Sequence, residues 1–130
     1  MLRLSFASVV LLAFSGIASA QPPALNGKWS GYWVSDKNGH TGPLNGRFRQ
    51  IDSNTYRVVF RGRFARVIPF RYATKLHVEG TGDGVVLLGA SQRLPLMGEY
   101  RTEATATATD FNATFTSRRD GGRFVLTRTR

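Results

Sequence analysis

YRVVFRGRFARVIPFRY, running from Tyr56 to Tyr72, alternates strictly through its first half. Tyr56, Val58, Phe60, Gly62 and Phe64 fall on one parity, and Arg57, Arg61 and Arg63 on the other. Successive side chains of a β-strand point to opposite faces of a sheet. An aromatic face opposite an arginine face therefore marks a half-buried strand. Pro69 interrupts the second half; proline cannot donate to a ladder and signals a bulge, a corner or an edge.

The same pattern extends in both directions. Working outward, alternation predicts strands at 27–35, 44–51, 54–62, 65–74, 75–81, 85–91, 97–108, 111–117 and 122–128. Asn26-Gly27, Asn38-Gly39, Asn45-Gly46, Asp83-Gly84 and Asp120-Gly121 read as hairpin-type turn pairs. The apolar run that opens the strand at 85–91 hides its parity. No segment sustains a helical apolar period. Glycine recurs two places before an aromatic, as in Gly27-Lys28-Trp29, Gly46-Arg47-Phe48, Gly62-Arg63-Phe64 and Gly122-Arg123-Phe124. That spacing puts both residues on one face, where the missing side chain lets a sheet coil around the ring. The expected fold is all-β, a single antiparallel up-and-down barrel of eight or nine strands, with a two-layer sandwich as the alternative. An outer-membrane barrel is disfavoured, because Arg, Glu and Thr occupy the outward positions where lipid requires apolar residues.

The first twenty residues read as an export signal: Arg3, the apolar run from Ser8 to Phe14, and the small-x-small site Ala18-Ser19-Ala20. Residues 1–20 are thus expected to be removed, 21–26 to form a disordered lead, and 27–130 to form the barrel. Export would place the protein in the periplasm or outside the cell. No later segment is apolar enough to span a bilayer as a helix. The chain has no cysteine, so the fold has neither disulfides nor thiolate ligands. Its formal charge is +10 at pH 7, distributed unevenly. Residues 45–72 carry seven arginines against Asp52 alone. Such a field favours anionic partners.

Arg47, Arg49, Arg57, Arg61, Arg63 and Arg71 are the candidate anion-binding residues, facing acidic polysaccharide or an envelope surface. Nucleic acid is disfavoured because parity sends the rings to the face opposite the charge, whereas single-strand binding needs both on one face. A second candidate is a cup in the barrel for a small hydrophobic ligand. Trp33, Tyr72 and Tyr100 would line it, with Ala104, Ala106 and Ala108 leaving room near one mouth. Hydrolysis ranks last: Ser35, Asp36 and His40 are close in sequence, but no strained nucleophile turn frames Ser35. Glu99 and Glu103, with Arg101 between them, read as an outer ion-pair row. His40 and His77 are too few to hold zinc. The sequence thus predicts a non-catalytic protein without metal or cofactor. Asn112-Ala113-Thr114 is a glycosylation sequon.

Two resemblances add to this reading. Gly39-His40-Thr41-Gly42-Pro43-Leu44 and the segment from Gly62 to Tyr72 resemble a family of small secreted bacterial proteins of unknown function. Gly27-Lys28-Trp29, Thr109-Asp110-Phe111 and a closing arginine are similar to the calycin barrels, the lipocalins and avidins. That second resemblance implies that Trp29 is packed under Arg128 (or Arg123) to close one end of the barrel, a structural role. Phe111 departs from the tyrosine usual in those barrels, and no C-terminal helix pattern follows.

Overall fold

In a computed structural model, residues 22–65, 67–94, 98–118 and 120–129 are described. They form a closed antiparallel barrel in which each strand pairs with the next and the last returns to the first. The strands are β1 (Gly27–Ser35), β2 (Thr41–Asp52), β3 (Thr55–Phe64), β4 (Ile68–Gly82), β5 (Val85–Leu94), β6 (Gly98–Ala106), β7 (Asp110–Thr116) and β8 (Gly121–Arg128). The expected signal segment lies outside the described residues.

Eight strands form, not nine. The segments expected at 65–74 and 75–81 are one continuous strand, β4, whose inward side chains run unbroken through Tyr72, Thr74, Leu76 and Val78. Nothing between Ala73 and Leu76 can turn the chain. The chain turns instead between Phe64 and Ile68, where Ala65 adopts φ 50, and a bulge between Val78 and Gly80 bends the far end of β4. Asp83 (φ 54) and Gly84 (φ 76) make the two-residue turn that their types favour. Asn45-Gly46 makes no turn and lies inside β2, where a Cβ on Gly46 would come within 3.2 Å of the Phe48 ring.

Rings run as a column down the barrel axis. At one end Trp29, Phe48 and Phe111 pack with centroids 5.0–6.3 Å apart. Phe60 and Phe124 (5.0 Å) fill the middle, and Phe115 continues upward from Phe124 at 5.0 Å. The lower end and the middle of the barrel are therefore solid, and Trp29, Phe48, Phe60 and Phe111 are buried. Burying a large side chain contributes about 1.5–3 kcal/mol, which explains how a cysteine-free domain holds its shape.

The lower end is sealed by the lead segment, contrary to the disorder expected for it. Leu25 is fully buried, and its carbonyl accepts the Trp29 indole N–H at 2.9 Å. Asn26 Oδ1 accepts the Gln50 N–H at 2.6 Å. Arg128 stands 4.6 Å over the Trp29 ring and donates to the carbonyls of Ala108 (2.7 Å), Asn26 (2.6 Å) and Ala24. One apolar residue and one guanidinium thus tie down the lead.

Candidate functional site

The upper end is open. Asn38 and His40 after β1 and Asp120 before β8 stand at its rim, and the upper ends of β1, β3, β4, β6, β7 and β8 supply its walls. Inside is a cup of ≈ 530 Å³. Trp33, Phe64, Phe70, Tyr72 and Tyr100 line it, with Phe115 and Phe124 below. These rings reach the mouth because each strand carries its inward parity to the rim. Trp33 meets Phe70 edge-on at 6.3 Å, and Tyr72 meets Tyr100 at 5.2 Å.

Glycines make the upper wall thin enough for the rings. A Cβ on Gly62 would stand 2.6 Å from Phe70 Cζ, and one on Gly122 would stand 2.6 Å from Phe115 Cζ. The Trp33 indole donates to the Arg63 carbonyl at 3.0 Å, fixing its ring against the β3–β4 hairpin.

Polar groups sit at two levels. Near the rim, the Ser35 hydroxyl donates to the Asp120 carboxylate (2.9 and 3.1 Å), and Asn38 and His40 line the same cup. The serine proton goes straight to a carboxylate with no imidazole between them. Asp36, grouped with Ser35 and His40 on sequence proximity, is exposed, and its N–H donates to the Gly121 carbonyl. Under the cup floor lie Thr74 and Thr102, two residues deeper than Tyr72 and Tyr100 on β4 and β6. The Tyr72 hydroxyl and Thr102 Oγ1 are buried and meet no partner in good hydrogen-bond geometry, although Thr74 and Thr102 stand near enough to the phenol to oppose part of the effect of burial on it. Thr74 is occupied, donating to Gln92 Oε1 at 3.3 Å. Burial pushes the Tyr72 phenol above its ordinary pKa. Burial raises Tyr100 much further, with Tyr72 and the Asp120 charge adding to the effect. Both phenols are therefore neutral near pH 7.

The structure brings Trp33, Tyr72 and Tyr100 together, but the three alanines lie elsewhere. Ala104 and Ala106 are buried toward the sealed end, where Ala106 pairs with Phe111. Ala108 is exposed in the turn after β6. Alternation runs on past the last ladder bond, so a period-two pattern does not show where a strand stops. Phe64, Phe70, Phe115 and Phe124 belong to the cup instead. Their inward parity was readable, but their height in the barrel depends on register. The partnership of Ser35 with Asp120 is likewise invisible in sequence, the residues being 85 apart.

The six candidate arginines are exposed on the outer wall of β2, β3 and β4. Register arranges them in rows. Arg49 pairs with Arg57 and Arg57 with Lys75; Arg61 lies between Asn45 and Arg71. Lys28 of β1 faces Arg47. Like charges directly opposite each other cost stability, and among the described residues the one ion pair is Arg101–Glu99 at 3.3 Å, away from this wall. A shallow groove of ≈ 520 Å³ lies among Lys28, Asn45, Arg47, Arg61 and Arg71. Elsewhere His77 Nδ1 is 3.3 Å from Thr55 Oγ1, and the described residues hold no cluster of His, Cys, Asp or Glu suited to a metal ion.

No known protein family, curated protein or solved structure matches the chain.

Proposed function

We propose that the protein is a non-catalytic binding protein that takes a small, largely apolar ligand into the aromatic cup at the open end of the barrel. The observation that carries this reading is the contrast between the two ends. The lower barrel is packed solid, whereas seven inward rings at the top surround ≈ 530 Å³ of open space. That volume suits one small molecule, and ligand pockets combine such apolar walls with a few placed polar groups. The rim side chains of Asp120, Asn38 and His40 supply the polar groups. A ligand with one hydroxyl or carbonyl on an aromatic or alicyclic body suits this lining.

Titration with the neutral dye N-phenyl-1-naphthylamine tests the reading. Its fluorescence should rise on binding, and Phe70→Asp should weaken the affinity at least tenfold, because a charge replaces an apolar wall. Arg49→Ser with Arg57→Ser should leave it unchanged. Equal affinity in Phe70→Asp and the parent protein would remove the cup as the site.

The arginine wall supports a second reading, adhesion to an anionic polymer. Its motivation is the pair of cationic rows without acidic neighbours, an arrangement that a polyanion would relieve. Salt-sensitive retention on a heparin resin, lost when Arg57, Arg61 and Arg63 become Ser together, is the expected result. Retention unaffected by that triple substitution would eliminate it.

A further inference from the structure

Three of the large apolar residues left most exposed by the fold fall in one turn. Phe64 is 42% exposed, Val67 76% and Ile68 45%. They occupy the tip of the β3–β4 hairpin at the open end of the barrel. The base of the tip is fixed by the indole bond from Trp33 to the Arg63 carbonyl and by the Phe64–Phe70 ring contact at 6.3 Å.

Arginines stand directly beneath it. Arg63 pairs with Pro69, and Arg61 pairs with Arg71, all on the outer face. The Arg61–Arg71 pair lies three residues below the Phe64–Ile68 pair, a drop of about 10 Å at the rise of a strand. An apolar end with Arg63 one residue pair behind it and Arg61 and Arg71 about 10 Å behind it matches the depth profile of a membrane interface, where apolar groups enter the headgroup–acyl boundary by about 5–10 Å. Arg66, between Ala65 and Val67 in the sequence, adds a cation to the same turn that an anionic surface also favours. Of the adjoining rim loops, one pairs Asp36 with Lys37 in the sequence and the other sets Arg118 and Arg119 against Asp120, so the net charge they add at this end is positive as well.

From this juxtaposition we infer that the β3–β4 hairpin docks the protein on an anionic lipid bilayer, with Val67 and Ile68 inserted and Arg61, Arg63 and Arg71 at the phosphates. A hydrated polyanion would satisfy the arginines but leave the apolar tip in water; a bilayer satisfies both. Phe64 and Phe70 also line the cup. Docking would therefore set the mouth at the membrane, but the docking stands whether or not the cup holds a ligand.

The chain has no cysteine, which allows a direct test. Val67→Cys at the tip and Ser53→Cys at the sealed end are each labelled with an environment-sensitive dye. They are then mixed with vesicles of phosphatidylcholine alone or of phosphatidylcholine with phosphatidylglycerol. The expected result is a blue shift for Val67→Cys on the anionic vesicles and none for Ser53→Cys. Partitioning into the same vesicles should fall about tenfold in Val67→Ser/Ile68→Ser, from the lost apolar burial. It should fall about fivefold for each of Arg61 and Arg71 changed to Ser. Both variant sets alter exposed positions, and every variant carries the same N-terminal apolar run, so the differences report the hairpin alone. Equal shifts at the two dye positions would overturn the inference. So would partitioning unchanged by Val67→Ser/Ile68→Ser, or retention on heparin without any vesicle binding. Loss of dye binding in the cup with vesicle docking intact would count against the cup and leave the docking in place.

Discussion

Replacing Arg128 tests how the sealed end is held. Its guanidinium donates to three carbonyls, those of Ala108, Asn26 and Ala24, and covers the Trp29 ring at 4.6 Å. A hydrogen bond typically contributes about 1 kcal/mol net, and a partly exposed cation over a buried indole about 0.5–1 kcal/mol. Two of the three carbonyls belong to the lead segment and can return to water once released, which lowers the cost. Release of that segment would also uncover Leu25, which is now fully buried, at about 1.5–3 kcal/mol if complete. Arg128→Ala should therefore lose about 3–4 kcal/mol in guanidinium unfolding followed by tryptophan fluorescence. Arg128→Lys keeps a charge near the ring, but one ammonium cannot reach three carbonyls spread around a planar fork. It should lose about half as much. A loss below about 1 kcal/mol in Arg128→Ala, with the slope of the unfolding transition unchanged, would refute the idea that this residue locks the lower end.

Other outcomes follow from the same contacts. Gly31→Ala should cost more than about 3 kcal/mol or prevent folding, because its Cβ would stand 1.9 Å from the Val125 carbonyl oxygen at the β1–β8 seam. Gly82→Ala, with nothing within 4 Å, should be neutral in the same guanidinium titration. Tyr72→Phe removes an unpartnered buried hydroxyl and should leave stability unchanged or raise it by about 1 kcal/mol; a loss of that size would mean that the hydroxyl is bonded in solution. The raised phenol of Tyr100 means that the unfolded chain releases its proton first as pH rises. Stability should therefore be fully present below about pH 10 and fall above it by about 1.4 kcal/mol per pH unit until the folded phenol itself ionises. Urea midpoints measured across that range should lose much of this slope in Tyr100→Phe, and an identical slope would contradict the burial of the phenol.

Where sequence was legible, it was legible through contrast. Tyr56 to Phe64 could be assigned to a strand, and its faces told apart, because rings alternate with arginines. The barrel followed from repeating that pattern with short turns and no helix. Val85 to Leu88 has no contrast, and only the structure sends Val86 and Leu88 inward and leaves Leu87 45% exposed. Ala108 was assigned to the cup by extending an alternation beyond its ladder. Nothing local in residues 21–26 shows that the lead is tied down, because the burial of Leu25 depends on contacts with Tyr56 and Trp29, and the place of Ala24 on a bond from Arg128 near the far C-terminus.

The division has one physical cause. Side-chain direction in a strand is a local property with period two, so the sequence by itself determined the fold class, the inward rings and the outward arginines. Register and height in the barrel come from hydrogen bonds between segments far apart in the chain, and a local pattern carries no record of them. Only the tertiary structure could decide that Arg61 faces Arg71, that Asp120 reaches Ser35, and that rings assigned merely to the inside divide into a solid plug below and an open cup above.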